Sequence, residues 1–321
     1  MVARPTEPPR SPTEEDALQP FRITPRVLAI LSAVGQFGVM TSEQIARLDG
    51  GSRQKVTRIL QRCVELQLLR RPGPNKHVAF TSFFDTRPRP FALTAKGARC
   101  LSEAGMPLNA KPSRSAVLLQ HNIEVAETMA FGFHAAAAQG SLRLIDHHDL
   151  LPLMPPATRE LRKPFCLYTT VQPADFPHLG RLLKEPTEIG VEPDRLFSIV
   201  RPDNTGWTRA LEIDCANEDI TARRIKGKAT FFRKQLGYYA AWLADKHTLQ
   251  CGDFAKSFRV LTVTTSVARI HNMLATQQEI TRGSASGLFL YSTAERVNAL
   301  GALGPAWMSA KRDHLSPLDG E

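Results

Sequence analysis

The chain has no apolar run of the ~18–20 residues that a membrane-spanning helix requires. Its first twenty residues are polar and proline-rich and contain no apolar stretch of the secretory kind. They read as a disordered leader without a signal peptide, which sets the expectation of a cytoplasmic protein. Cysteine is scarce: Cys63, Cys100, Cys166, Cys215 and Cys251 stand far apart with no CxxC spacing. That argues against a zinc site or a disulfide framework and suits a reducing compartment. No cysteine has a histidine or base beside it in the sequence that marks a nucleophile. Neither a P-loop nor a GxGxxG run occurs, so ATP and NAD are not implied. There are no internal repeats.

What is present is positive charge, unevenly placed. The formal charge is +10. Residues 1–111 hold 17 Lys/Arg against 9 Asp/Glu, and the remaining 210 residues hold 24 against 22. A solubilising surface would spread such an excess, whereas confinement to one region is the footprint of a polyanionic partner. A length of 321 residues suits two domains.

The basic third carries helix signals in close succession. Thr24-Pro25 supplies an N-cap and a first-turn proline, and Val27, Leu28, Ile30, Leu31 and Val34 form an apolar face ending at Gly35. Thr41 or Ser42 caps a short helix that Gly50-Gly51 stops. A third helix follows from Ser52, with Val56, Ile59, Leu60, Cys63, Val64 and Leu66 at helical spacing. Arg53, Gln54, Lys55, Arg58, Gln61 and Arg62 fall largely on its other side. A short helix, a glycine turn and a basic amphipathic helix describe a helix-turn-helix. Leu68–Arg71, the breaker at 72–75, His77–Phe84 and then Phe91-Ala-Leu-Thr-Ala-Lys-Gly97 look like the wing of many bacterial winged-helix proteins. In that reading Arg53, Gln54, Lys55 and Arg58 enter the major groove, where Arg and Gln can make bidentate contacts to base edges. Arg62 lies along the same helix. Wing residues Arg70, Arg71, Lys76, Arg87 and Arg89 would contact phosphates.

Residues 105–115 combine Gly, Pro and Ser and read as a linker. Beyond it the periodicity predicts a helix at about 116–138, a strand at 141–150 and an irregular Pro-rich stretch at 151–190. Strands at 192–200 and 207–215 follow, joined by a turn at 202–206, then a helix at 228–245, a strand at 258–265, a helix at 266–281 and a strand at 287–292. The order is α/β in pattern.

Carboxylates cluster in this part. Glu192-Pro193-Asp194 opens one strand and Leu211-Glu212-Ile213-Asp214 closes its partner. Glu212 and Asp214 share a face because side chains alternate along a strand. With Asp194 across the hairpin, three hard oxygen ligands would suit Mg²⁺ or Mn²⁺ and the activation of water. On the following helix, Lys228, Phe232, Gln235, Leu236, Tyr239, Trp242 and Leu243 share one mostly apolar side. The lysine and glutamine on it need the carboxylates as partners. His147-His148-Asp149 is ligand-like, but neighbours on a strand point apart. His121 reads as a core histidine before a base, and Ser266–Arg269 as a helix cap before a phosphate contact.

The spacing from Pro193-Asp194 to Glu212 resembles the PD-(D/E)xK nuclease motif, and Gln235-Leu236-Gly237-Tyr238-Tyr239 is similar to the helix motif of its RecB-like branch. The whole layout over about 20–295 resembles the replication-relaxation family of plasmid and mobile-element proteins. The matching features add Leu118-Leu119-Gln120-His121-Asn122 and the late strand before Arg269. The resemblance implies a winged helix-turn-helix at 21–104 and a restriction-endonuclease-like α/β domain at 116–300, between a leader at 1–20 and a tail at 301–321. It implies metal ligands at Asp194 and Glu212, with Asp214 and Gln235 nearby. Asp214 stands where the motif has lysine, and Lys228 is the candidate replacement. Three functions follow: a plasmid or mobile-element DNA-binding protein with a degenerate nuclease fold, an active metal-dependent endonuclease or nickase, and a winged-helix transcription regulator. Expected partners are duplex DNA and plasmid replication or transfer proteins. A homodimer and association with plasmid or nucleoid are compatible; a membrane is not expected.

Overall fold

A computed structural model describes residues 21–72, 90–106, 116–140, 142–216, 219–225, 230–255, 257–284, 287–316 and 318. It is a mixed α/β structure, as expected. No helix among the described residues is long and apolar enough to cross a membrane.

The head begins with α1 (Pro25–Phe37), where the Thr24 hydroxyl accepts from Val27 N at 3.3 Å. Val27, Ile30, Leu31, Val34 and Phe37 are buried. The stop is Gly38, whose φ of 82° few side-chain-bearing residues adopt, so α1 runs past Gly35. Strand β1 (Met40–Thr41) leads into α2 (Ser42–Asp49) through a capping box of Thr41 and Gln44. Gly50 ends α2 in the left-handed region, at φ 66°. Then come α3 (Arg53–Glu65), β2 (Leu69–Arg70), β3 (Pro90–Leu93) and α4 (Ala95–Glu103). The small sheet has the order β1-β3-β2, all antiparallel. Thr94 caps α4 by accepting from Gly97 N at 3.0 Å. Gly97 is required because a Cβ there would fall on the Leu68 carbonyl oxygen.

The body starts with α5 (Ala116–Glu127), which continues through a π-helical turn (Thr128–His134) into α6 (Ala135–Gln139). A mixed seven-stranded sheet follows, ordered β12-β11-β10-β9-β8-β7-β4. Its strands are β4 (Arg143–Ile145), β7 (Arg195–Val200), β8 (Gly206–Ile213), β9 (Phe258–Thr264), β10 (Phe289–Thr293), β11 (Trp307–Ser309) and β12 (Arg312–Ser316). The β4–β7 and β7–β8 pairs are antiparallel, and β8–β9 and β9–β10 are parallel. The turn between β7 and β8 is held by Arg201 N donating to Thr205 O at 2.8 Å, with Asn204 at φ 63°.

Four expectations change here. The strand expected at 141–150 stops at Ile145, and Asp146 caps a helical turn, α7 (His147–Leu150), so His147 and His148 are helical. The stretch at 151–190 contains the short helix α8 (Pro156–Arg159) and a hairpin, β5 (Leu167–Val171) with β6 (Thr187–Val191). The helix expected from 228 begins at Phe231, capped by Thr230, as α9 (Phe231–Leu243). Residues 307–316, expected as a tail, add two strands to the sheet edge, and Trp307 is buried.

After the short helix α10 (Lys246–Cys251) comes α11 (Val267–Thr281), which with α9 covers one sheet face, where Leu236, Ile270 and Met273 meet Ala210, Val260 and Phe289. On the other face Met129 and Phe133 meet Phe197, Leu211 and Leu261. That second core is continuous with the head through Val27, Ile30, Leu31 and Val34. Polar bonds reinforce the junction: Gln44 Nε2 donates to Glu127 Oε2 at 2.9 Å, and Arg195 Nη2 donates to Gln36 O at 2.9 Å.

Candidate functional site

The surface of α3 is the first candidate. Val56, Leu60 and Cys63 anchor it to the core, and this leaves Arg53, Gln54, Lys55, Arg58, Gln61 and Arg62 exposed. Arg62 is paired with Glu65 at 2.6 Å. Among the described residues no ion pair engages Arg53, Lys55 or Arg58. The bend before α3 is fixed by Arg26, which grips Asp49 at 2.5 and 2.8 Å beside Gly51. Arg70 is half-buried, and Arg71 is exposed with its guanidinium 5.7 Å from the Phe91 ring centre. Lys76, Arg87 and Arg89 lie outside the described residues.

The carboxylate cluster is the second. Asp194 precedes β7, Glu212 is the last but one residue of β8 and Asp214 follows the strand, so the hairpin brings all three to one end of the sheet. Each is already engaged. Asp194 Oδ2 accepts from Ile213 N at 2.7 Å, and Asp194 Oδ1 lies 2.9 Å from His121 Nε2. Glu212 Oε1 accepts from the Tyr238 hydroxyl at 2.6 Å, and Glu212 Oε2 from Lys234 Nζ at 3.1 Å. Asp214 is forked by Arg269: Nη2 donates to Oδ1 at 2.8 Å and Nε to Oδ2. Thr264 Oγ1 also donates to Asp214 Oδ2, at 2.6 Å.

Charge and burial set the titration. Burial pushes the Glu212 carboxyl up; Lys234 pulls it down, Asp194 pushes up again, and the balance is about 7. Burial acts to lower His121, but the hydrogen bond to Asp194, with a contribution from Cys215, outweighs it and raises the imidazole to about 10. His121 is therefore a cation at neutral pH. Each of the three carboxyl groups thus has one basic partner, His121, Lys234 or Arg269.

Glu212, Asp214, Lys234, Gln235 and Tyr238 help line a cavity of about 20 Å³. That holds about one water and no phosphodiester. Among the described residues no group of three His, Cys, Asp or Glu side chains is placed to hold a metal ion. Each of these carboxylates is matched by a cation or a hydrogen-bond donor, which Mg²⁺ or Mn²⁺ would have to share or displace. Gln235 is buried, and the hydrogen bond it accepts comes from the Tyr291 hydroxyl at 3.2 Å. Lys228 lies outside the described residues.

Sequence reasoning missed three participants. Lys234 and Tyr238 sit one and two turns into α9, on the flank that the apolar wheel left out. Tyr239 packs against the core as expected and also stacks with Trp242 at 6.2 Å between ring centres, whereas Trp242 and Leu243, expected on the same packing face, are exposed. Cys215, given no basic neighbour in the sequence, lies with Sγ 4.0 Å from His121 Nδ1. Only the packing of α5 against the end of β8 makes that pair. His147 Nδ1 accepts from Leu196 N at 3.2 Å, and burial, with Arg195 nearby, lowers the imidazole to about 3. The cap at Ser266 forms as expected, accepting from Arg269 N at 3.3 Å. Comparison with protein-family models, with curated proteins and with solved structures finds no match to this chain.

Proposed function

We propose that this chain binds duplex DNA through α3, with residues 21–104 as a winged helix-turn-helix. The observation that carries the reading is the exposed start of α3, where Arg53, Gln54, Lys55 and Arg58 project from a helix whose other side is locked into the core. The glycine bend after α2 and the sheet order β1-β3-β2 support it. On this reading the segment between β2 and β3 is the wing. The resemblance to the replication-relaxation family makes DNA of a plasmid or mobile element the proposed target, and a homodimer a compatible assembly. The test is anisotropy titration of a labelled duplex at several salt concentrations. Affinity should fall with salt, and Arg53→Ala with Arg58→Ala should weaken binding at least tenfold and reduce discrimination between sequences. Arg70→Ala with Arg71→Ala should instead reduce the log–log salt slope by about two, at ~0.9 per phosphate contact. An unchanged affinity in the folded Arg53→Ala, Arg58→Ala variant would overturn the reading.

For the body we infer a nuclease-like fold without catalytic metal. The α5-β4-β7-β8-α9-β9 order, with β8 and β9 parallel, supports the fold. The one-to-one pairing of Asp194, Glu212 and Asp214 with His121, Lys234 and Arg269 supports the inactive site. Supercoiled plasmid incubated with Mn²⁺ should stay intact. Nicking by the native chain that disappears in Asp194→Ala and Glu212→Ala variants would show the site to be catalytic.

A further inference from the structure

Between the head and the body lies a cavity of about 290 Å³. Its walls are α1, α2 and the π-helical turn, through residues that include Ala33, Gln36, Ile45, Leu48, Ala130 and His134. The volume sits at the lower bound of ordinary small-molecule pockets, which are mostly apolar with a few placed polar groups. This lining follows that recipe, with Gln36, Asp49 and His134 as the polar exceptions.

The polar groups narrow the chemistry. Both Asp49 oxygens are spent on Arg26. Gln36 spends its Nε2 on Asp146 Oδ2 at 3.1 Å, which leaves its side-chain carbonyl to accept a hydrogen bond. His134 Nε2 is shut off from solvent without a hydrogen-bond partner, 3.7 Å from Asp146 Oδ2. The His134 ring stands edge-on to Phe37, at 5.8 Å and 89°. The wall itself is unusual: Thr128–His134 is a π-helical turn, a rare backbone form that recurs at binding sites because it re-aims the side chains it carries.

We propose that this cavity is a binding site for a small apolar molecule bearing one hydrogen-bond donor. Its apolar body would lie against Ala33, Ile45, Leu48 and Ala130, and the donor would reach the Gln36 carbonyl.

Indole is the probe. Titrated calorimetrically into the full chain it should bind one-to-one with a Kd below about 1 mM, which is ordinary for a ligand of its size. Amide shifts on adding indole should concentrate at Ala33, Ile45, Leu48 and Ala130. Ala33→Phe fills the cavity and should weaken binding at least tenfold; Ala130→Leu does the same from the opposite wall if the first variant fails to fold. No saturable binding up to the solubility of indole, or shifts confined to other parts of the chain, would overturn the proposal. So would unchanged affinity in a folded cavity-filling variant. The measurement involves no DNA, so its outcome is independent of the function proposed above.

Discussion

At the scale of single residues, the chain holds two titrating groups that pull stability in separate pH windows. The folded Glu212 carboxyl lies near 7, against 4.5 ordinarily. A folded value above the unfolded one means that the native state binds the extra proton. The stabilisation is complete below about pH 4.5 and is lost as pH rises through 7. His121 is raised to about 10 from 6.5. Its stabilisation is complete below about pH 6.5 and is lost as pH rises through 10. Urea midpoints should therefore decline from pH 7 to pH 10, while between pH 5 and 6.5 the Glu212 fall is opposed by His147, whose lowered folded value adds stability as pH rises. Relative to the native profile, Glu212→Gln should tilt the midpoints upward between pH 5 and 7, and His121→Asn should flatten the fall between pH 7 and 10. A Glu212→Gln profile parallel to the native one between pH 5 and 7 would show that this carboxyl is not the titrating group. The sequence located Asp194, Glu212 and Asp214 because a Pro-Asp start and a Glu-x-Asp finish flank a recognisable hairpin turn. It could not show their cations. His121, Lys234 and Arg269 come from three separate helices, and pairing over those distances is a property of packing.

At the scale of elements, legibility followed how local the determining interactions are. The helices α1, α2, α4 and α11 start where Thr24, Thr41, Thr94 and Ser266 sit, because each hydroxyl accepts from an amide three residues on. The β7–β8 hairpin was legible for the same reason, since its turn residues bond to each other. The β5–β6 hairpin was not. Between its strands lie some fifteen residues, and its inward side chains Leu167, Val171, Ile189 and Val191 take their partners from α9. Gly237 records that contact: a Cβ there would lie 2.7 Å from both Ile189 Cγ2 and Val191 Cγ1. In the sequence it reads only as a weak point in a helix. The π-helical turn was also invisible, because its apolar spacing still passes for an α-helix.

At the scale of the whole molecule, reading two domains separated by a linker emphasises composition, whereas the core runs across that division. Leu31 and Val34 of the head share a buried cluster with Phe133, Phe197 and Trp307 of the body. Gln44 and Arg47 bind Glu127, and Arg195 binds the Gln36 carbonyl. Elements that share a core lose it together, so head and body should unfold in one transition. Trp207, Trp242 and Trp307 all lie in the body, so fluorescence reports it alone, while amide exchange along α1 reports the head. The two should give the same midpoint in urea. Phe133→Ala removes a ring at 4.7 Å from Phe197 and 6.3 Å from Trp307, between centres. It should cost about 3–5 kcal/mol and lower both midpoints by the same amount. If α1 kept its protection after the fluorescence transition, the head would be an independent folding unit on a tether. With one transition, α3 is held by a framework anchored as far away as the central sheet, and the orientation of its basic face is set by the body.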